Sequence, residues 1–123
     1  MSNEENFQLV RRFNQVFKAD DDLSVLDEIL ASDFVAHNGG EDGVEDVRGP
    51  EGWRQFVLAA RKVGGDIEAG IDELIGAGNL VAERWWMRSS AGSDAGVTGR
   101  GVTMHRIVNG KLQENWAVFQ PES

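Results

Sequence analysis

The stretch TGRGVTMHRIVNGKLQENWAVFQ, residues 98–120, decides the fold. Two alternating runs flank Asn109-Gly110, the dipeptide that best suits a two-residue type I′ turn, where both central residues need positive φ. Such a turn sets the pairing register of its strands. Val108 is therefore expected opposite Lys111, Ile107 opposite Leu112, His105 opposite Glu114 and Thr103 opposite Trp116. Directly paired residues project to the same side of a sheet. One face then holds Thr103, His105, Ile107, Leu112, Glu114, Trp116, Val118 and Gln120. The other holds Val102, Met104, Arg106, Val108, Lys111, Gln113, Asn115, Ala117 and Phe119. Arg106, Lys111 and Gln113 make the second face the wetter one, so the first is expected to look toward the core.

Upstream of the hairpin the chain is also strand-like. Residues 67–75 alternate, 76–79 turn, and 80–89 form a long run rich in valine and tryptophan. In that run Arg84 and Trp86 share one face, while Glu83, Trp85 and Met87 share the other. A loop around residues 91–94 leads into the strand over 97–108. The first half of the chain is helical instead. Phe7, Val10, Phe13 and Phe17 recur at helical spacing over residues 3–18, with Ser2 or Asn3 as N-cap and Glu4 and Glu5 at the positive end of the dipole. A short second helix carries Leu23, Leu26, Ile29 and Leu30, Ser32-Asp33 stops it, and Phe34–His37 reads as a short strand. Residues 39–49 form an acidic, glycine-rich loop. Gly49-Pro50 opens a third helix with a buried stripe of Trp53, Phe56, Val57 and Ala60, ended by Gly64-Gly65. Helices first and antiparallel strands afterwards is an α+β arrangement in which one sheet buries a face against three helices.

The 123 residues suit one domain spanning 1–123, with enough chain for a core and a pocket. A net charge of −9 disfavours nucleic acid and anionic membrane surfaces as partners. The chain has no cysteine, which excludes disulfide and thiolate chemistry. No run approaches the ~20 apolar residues of a membrane span, and the N-terminus lacks a secretory pattern, so a cytoplasmic location is expected. His37 and His105 do not stand at a spacing that builds a metal-ligand set, so neither metal nor cofactor is expected.

On the expected inward face, His105 and Glu114 stand across from each other with Cβ atoms about 5 Å apart. A carboxylate there would orient the imidazole and raise its pKa, making the pair a candidate acid–base unit. The alternative is that each merely satisfies the other in a semi-buried network.

The order of segments resembles the SnoaL-like polyketide cyclases and their ester cyclase relatives within the cone-shaped NTF2-like superfamily. The segments that carry the likeness are LVRRFNQVF, LDEILASDFVAHN, GPEGWRQFV, IDELIGAGNLVAERWWM and the closing hairpin, which together span nearly the whole chain. The resemblance implies three N-terminal helices on a curved, mostly antiparallel sheet, enclosing a central apolar pocket for a hydrophobic small molecule. By position it assigns His37, Trp53, Trp86, His105, Glu114, Trp116 and Gln120 to the lining, with Arg84 beside Trp86. Indoles suit a flat aromatic ligand, whereas Trp85 is read as core or dimer interface. The implied catalytic group is His105 with Glu114 and Gln120, moving protons beside a carbonyl in a cyclisation, isomerisation or dehydration. His37 and Gln120 would hold the developing oxyanion. The family's aspartate, four residues after the tryptophan of the E-x-W segment, is replaced here by Gln120, which cannot serve as a base. The family's strand-end histidine is likewise absent from SSAGSDAG. A non-catalytic binding module is therefore the alternative reading. An epoxide hydrolase-like reading is a further one, although Arg84 is followed by Trp86 rather than the Arg-x-Asp that chemistry uses. A homodimer is expected by analogy, through Val102, Met104, Ala117 and Phe119 on the outer sheet face.

Overall fold

The computed structural model describes residues 2–18, 22–37, 45–65, 67–89 and 99–121. Parts of the acidic loop (38–44) and of the 90–98 connection, including SSAGSDAG from Ser90 onward, lie outside the described residues. Helix α1 (Asn3–Gln15) is capped by Ser2, whose hydroxyl accepts from the Glu5 N–H while the Glu5 carboxylate accepts from the Ser2 N–H. Asn3 instead reaches across to donate to the Gly76 carbonyl at 3.4 Å, and Asn6 donates to the Gly78 carbonyl at 3.2 Å. Two amides thus pin the helix to the sheet. Helix α2 (Val25–Ile29) is a single turn and runs straight into strand β1 (Leu30–His37).

That strand starts four residues earlier than local pattern suggests, since Leu30 continues the helical spacing of Leu26. The override is tertiary. Strand β1 pairs in parallel with the last strand, Leu30 opposite Leu112 and Val35 opposite Glu114, with a register shift between them that absorbs Ser32-Asp33. Strand β2 (Val47–Arg48) lies within the stretch read as loop and pairs with Val35 and Ala36. Helix α3 (Gly49–Gly64) begins with proline in its first turn and stops at Gly65, whose φ of 70° is one that glycine adopts without strain.

Strands β3 (Ile67–Ala77), β4 (Leu80–Ser89), β5 (Gly99–Val108) and β6 (Lys111–Pro121) complete a six-stranded sheet in the order β2-β1-β6-β5-β4-β3. Every neighbouring pair is antiparallel except β1 and β6. The fold is α+β, a mostly antiparallel sheet with helices against one face. Its core joins Leu9, Val10 and Phe13 of α1, Leu26 and Ile29 of α2, Trp53 and Val57 of α3, and Phe34, Val81, Ile107 and Leu112 of the sheet.

The closing hairpin departs from simple alternation at one point. The turn is as expected, with φ of 52° at Asn109 and 77° at Gly110, and Ile107 stands opposite Leu112. The next pair, however, is Arg106 with Glu114, so Gln113 is an extra residue in β6. This is a β-bulge, and it turns every later side chain of β6 to the other face. Beyond it His105 stands opposite Asn115, Thr103 opposite Ala117 and Met104 opposite Trp116. Asn115, Ala117 and Phe119 therefore share the inner face with His105 and Thr103. Glu114, Trp116, Val118 and Gln120 go outside with Val102, Met104 and Arg106.

Candidate functional site

A cavity of about 380 Å³ lies between the helices and the inner face of the sheet. Helix α1 contributes Phe13 and Asn14, the turn after it Phe17, and α3 contributes Trp53, Phe56 and Ala60. The floor is made by Glu83, Trp85 and Met87 of β4, Thr103 of β5, and Asn115, Ala117 and Phe119 of β6. Each strand presents alternate residues here because the sheet buries only one face. The volume lies within the ~300–1,000 Å³ of small-molecule sites, and a mostly apolar wall with a few polar groups is their usual chemistry.

The aromatic wall is built by stacking. Trp53 lies between Phe13 and Phe56, with ring centroids at 4.8 and 4.7 Å, and meets Phe17 and Phe34 edge-on. Across the cavity Trp85 stacks on Phe119 at 5.7 Å, and its indole N–H donates to the Thr103 hydroxyl at 2.8 Å.

The polar centre is Glu83. Its carboxylate is almost fully buried, with one oxygen 2.6 Å from Nε2 of His105 and the other accepting from the Asn14 amide at 2.5 Å. His105 is diagonal to Glu83 on the same face, since its Cα partner on β4 is Val81. The imidazole is closed off by Phe13, which meets it edge-on at 5.5 Å, and its Nδ1 has no hydrogen-bond partner among the described residues. The bare Nδ1 selects the tautomer. A proton there would be a donor buried without an acceptor, whereas a lone pair costs less, so the proton sits on Nε2 and donates to Glu83. The pair thereby holds a carboxylate at the cavity surface that accepts two hydrogen bonds and still faces the pocket.

Among the eight residues singled out from the sequence, only Trp53 lines this cavity, and His105 reaches it only through Glu83. The other six lie elsewhere, four of them for one physical reason or its consequence. The bulge at Gln113 carries Glu114, Trp116 and Gln120 outward, so the His105–Glu114 pairing does not form. His37 follows them, because β1 runs parallel to β6 with His37 beside Trp116. Its Nε2 lies 2.6 Å from Glu114 and its Nδ1 3.0 Å from Asp46, and its ring stacks on Trp116 at 5.6 Å. Arg106 also lies over the Trp116 ring, 5.2 Å from its centroid, and reaches Glu114 at 3.3 Å. Arg84 and Trp86 occupy the outer face of β4. Arg84 pairs with Asp72 and Glu73 at 3.2 and 3.6 Å, and Trp86 lies beneath Arg88. Trp85, read as core or interface, is instead a wall of the pocket.

The residues that sequence reasoning passed over are Glu83, Asn14, Thr103 and Asn115. A signal for Glu83 was present. On β4 the row Val81, Glu83, Trp85, Met87 has a single charge among apolar groups, while Ala82, Arg84, Trp86 and Arg88 carry two arginines. The arginines mark the wet side and leave Glu83 facing inward. Nothing in local pattern distinguishes Asn115 until the bulge is known.

The outer cluster has its own electrostatic consequence. The hydrogen bond to Glu114 holds the His37 pKa above its ordinary value, with the Asp46 carboxylate adding to the effect against the opposing cost of burial. A raised folded-state pKa contributes stability that is complete below the unfolded value of about 6.5 and is lost as pH rises through the folded value. His37→Gln is thus expected to be less stable than the wild type at pH 5.5, with the gap narrowing by pH 8.5. Urea midpoints at the two pH values check it, and an equal gap at both contradicts the linkage. Among the described residues, no group of three or more His, Asp or Glu side chains could hold a metal ion, and no helix is long and apolar enough to cross a membrane.

Comparison with known proteins agrees with this architecture. The family model of the SnoaL-like domain matches residues 10–115. No curated protein matches significantly. Among solved structures, a loop-truncation variant of IdmH is 23% identical over 92% of this chain and 91% of its own, with a TM-score of 0.76. An NTF2-like protein of unknown function from Mesorhizobium loti is 24% identical over 95% of this chain and 92% of its own, with a TM-score of 0.73. A protein from Jannaschia sp. CCS1 assigned to the SnoaL-like polyketide cyclases is 15% identical over 98% of this chain and 90% of its own, with a TM-score of 0.79. At these identities the likeness is one of fold.

Proposed function

The chain belongs to the SnoaL-like domain family, and from that premise we propose that it is a cofactor-independent enzyme moving a proton beside the carbonyl of a hydrophobic small molecule. The observation that carries this reading is Glu83, a carboxylate at the surface of an aromatic pocket, backed by His105 and Asn14. The carboxylate takes the proton from the carbon next to the carbonyl. The electron pair moves onto the carbonyl oxygen, where the Thr103 hydroxyl and the Asn115 amide are the lining groups able to donate to it. Return of the proton to a different carbon is isomerisation. Attack of the enolate carbon on a second carbonyl of the same molecule is cyclisation, and the alkoxide formed takes the proton from Glu83. In this scheme Glu83 is the catalytic base and His105 a positioning residue.

The probe is 2-tetralone, a neutral bicyclic ketone whose acidic C–H exchanges with deuterated water. The protein is expected to accelerate that exchange, and Glu83→Gln to lower the rate by ~10²–10⁴-fold, the usual worth of a general base. Equal rates for wild type and Glu83→Gln contradict the assignment.

A second reading has its own observation. Both Glu83 oxygens are already engaged by protein donors, as suits a structural carboxylate in a binding module. It predicts that 2-tetralone quenches tryptophan fluorescence without any exchange. A homodimer through the outer face is part of the proposal, with Trp116 and Val118 in the patch with Val102 and Met104, replacing the inward-turned Ala117 and Phe119. A monomer by light scattering at high concentration contradicts it.

A further inference from the structure

Three strand glycines lie directly under aromatic rings. On the outer face a Cβ at Gly70 would stand 2.2 Å from Cζ2 of Trp86. On the inner face a Cβ at Gly99 would stand 2.1 Å from Cε2 of Phe119. At Gly101 it would stand 2.3 Å from Cζ2 of Trp85 and 2.7 Å from the Val118 carbonyl oxygen. Real Cβ atoms do not approach so closely, so glycine is what allows each ring to lie flat on its neighbouring strand. For Trp85 the seat is doubled. Its Cα partner is Gly101, and its N–H is tied to Thr103 two residues along β5. The indole is thereby fixed in both tilt and rotation, and its exposed side is a pocket wall. The Thr103 oxygen accepts from Trp85, which leaves its own proton free to donate, with no acceptor for it among the described residues.

We infer that the Gly101–Trp85–Thr103 unit determines specificity. The flat indole sets how long a planar, uncharged aromatic ligand can be, and the Thr103 hydroxyl donates to an oxygen on that ligand. The inference rests on the pocket reading proposed above. About 380 Å³ is available, within the ligand-site range of ~300–1,000 Å³, so the limit is set by the position of the indole rather than by volume, and we place it at two or three fused rings.

The test is a ladder of neutral ketones, 2-tetralone, anthrone and 5,12-naphthacenequinone, with affinities measured by calorimetry. A Cβ at Gly101 lifts the indole off its strand into the cavity. Gly101→Ala is therefore expected to weaken anthrone by about tenfold or more, as overpacking does, and to leave 2-tetralone within about twofold. Gly70→Ala makes the same kind of clash outside the pocket and serves as control, with the ladder unchanged. Trp85→Leu, which needs no backbone adjustment if Gly101→Ala fails to fold, moves the limit the other way and admits naphthacenequinone. Thr103→Val loosens the wall in the same direction, and Thr103→Ser, which keeps the hydroxyl, retains the wild-type limit. If ketones bind but Gly101→Ala and Trp85→Leu leave the ladder as in wild type, the size-limit assignment is overturned while the pocket stands. If no ketone binds the wild type, the pocket reading falls and this inference with it.

Discussion

Truncating Glu83 to alanine is expected to cost ~2–6 kcal/mol of folding stability, at ~1–3 kcal/mol for each of the two buried donors left without an acceptor. The magnitude follows from what is left behind. The Glu83 and His105 side chains are 1% and 0% exposed, so water does not reach the imidazole to replace the lost acceptor. His105 already lacks a partner at Nδ1 among the described residues, and without Glu83 its Nε2–H joins it, while the Asn14 amide loses its acceptor as well. Glu83→Gln should cost less, because its oxygen still accepts one of the two bonds. Urea denaturation at pH 7 ranks the variants wild type, Gln, Ala in falling stability. A loss for Glu83→Ala within about 0.5 kcal/mol, the size of an ordinary surface substitution, contradicts the burial of the pair. Catalysis and stability then separate, for Glu83→Gln should already lack the base while keeping most of the fold.

The second large effect belongs to Trp53. Its ring contacts Phe13, Phe17, Phe34 and Phe56, so it joins α1, α3 and β1 in one aromatic cluster. Trp53→Ala removes a buried indole that the surrounding rings cannot replace by collapse, and a loss of ~3–5 kcal/mol is expected. The same change opens the cavity wall beside Asn14, so affinity for flat ketones should fall together with stability. Trp53→Phe keeps a stacking ring and separates the two, since it should retain most of the stability and lose part of the ligand contact. A folded Trp53→Ala with wild-type urea midpoint and affinity contradicts this placement.

The helices and the turn were legible because their determinants are local. Val10 and Phe13 mark the inward side of α1, Gly49-Pro50 marks the start of α3, and Asn109-Gly110 demands two positive φ values that the chain adopts. The site was not legible, because it depends on one extra residue. Gln113 has no sequence mark of a bulge, yet it reverses which half of β6 faces the core, and with it the fates of Glu114, Trp116 and Gln120. Register read outward from a turn is therefore secure for the first pair and progressively exposed to any inserted residue. Strand β4 contains no such insertion in its pairing with β5, and its alternation held throughout. Had the inward row been chosen from β4, with its arginines at 84 and 88 as the solvent marker, Glu83 would have been the acidic group facing His105. The start of β1 was hidden for a different reason, since a parallel strand finds its partner far along the chain and local spacing carries no trace of it.

On the proposed function, ligand is held in the inner cavity rather than at the outer His37–Glu114 cluster, and the four tryptophans report on the two faces separately. Trp53 and Trp85 line the cavity, while Trp86 and Trp116 lie on the outer face. The most direct measurement is a titration of isotopically labelled protein with 2-tetralone, following the four indole N–H resonances. The signals of Trp53 and Trp85 are expected to shift on one binding curve while those of Trp86 and Trp116 stay in place. Movement of Trp86 and Trp116 with Trp53 and Trp85 unchanged would contradict the account.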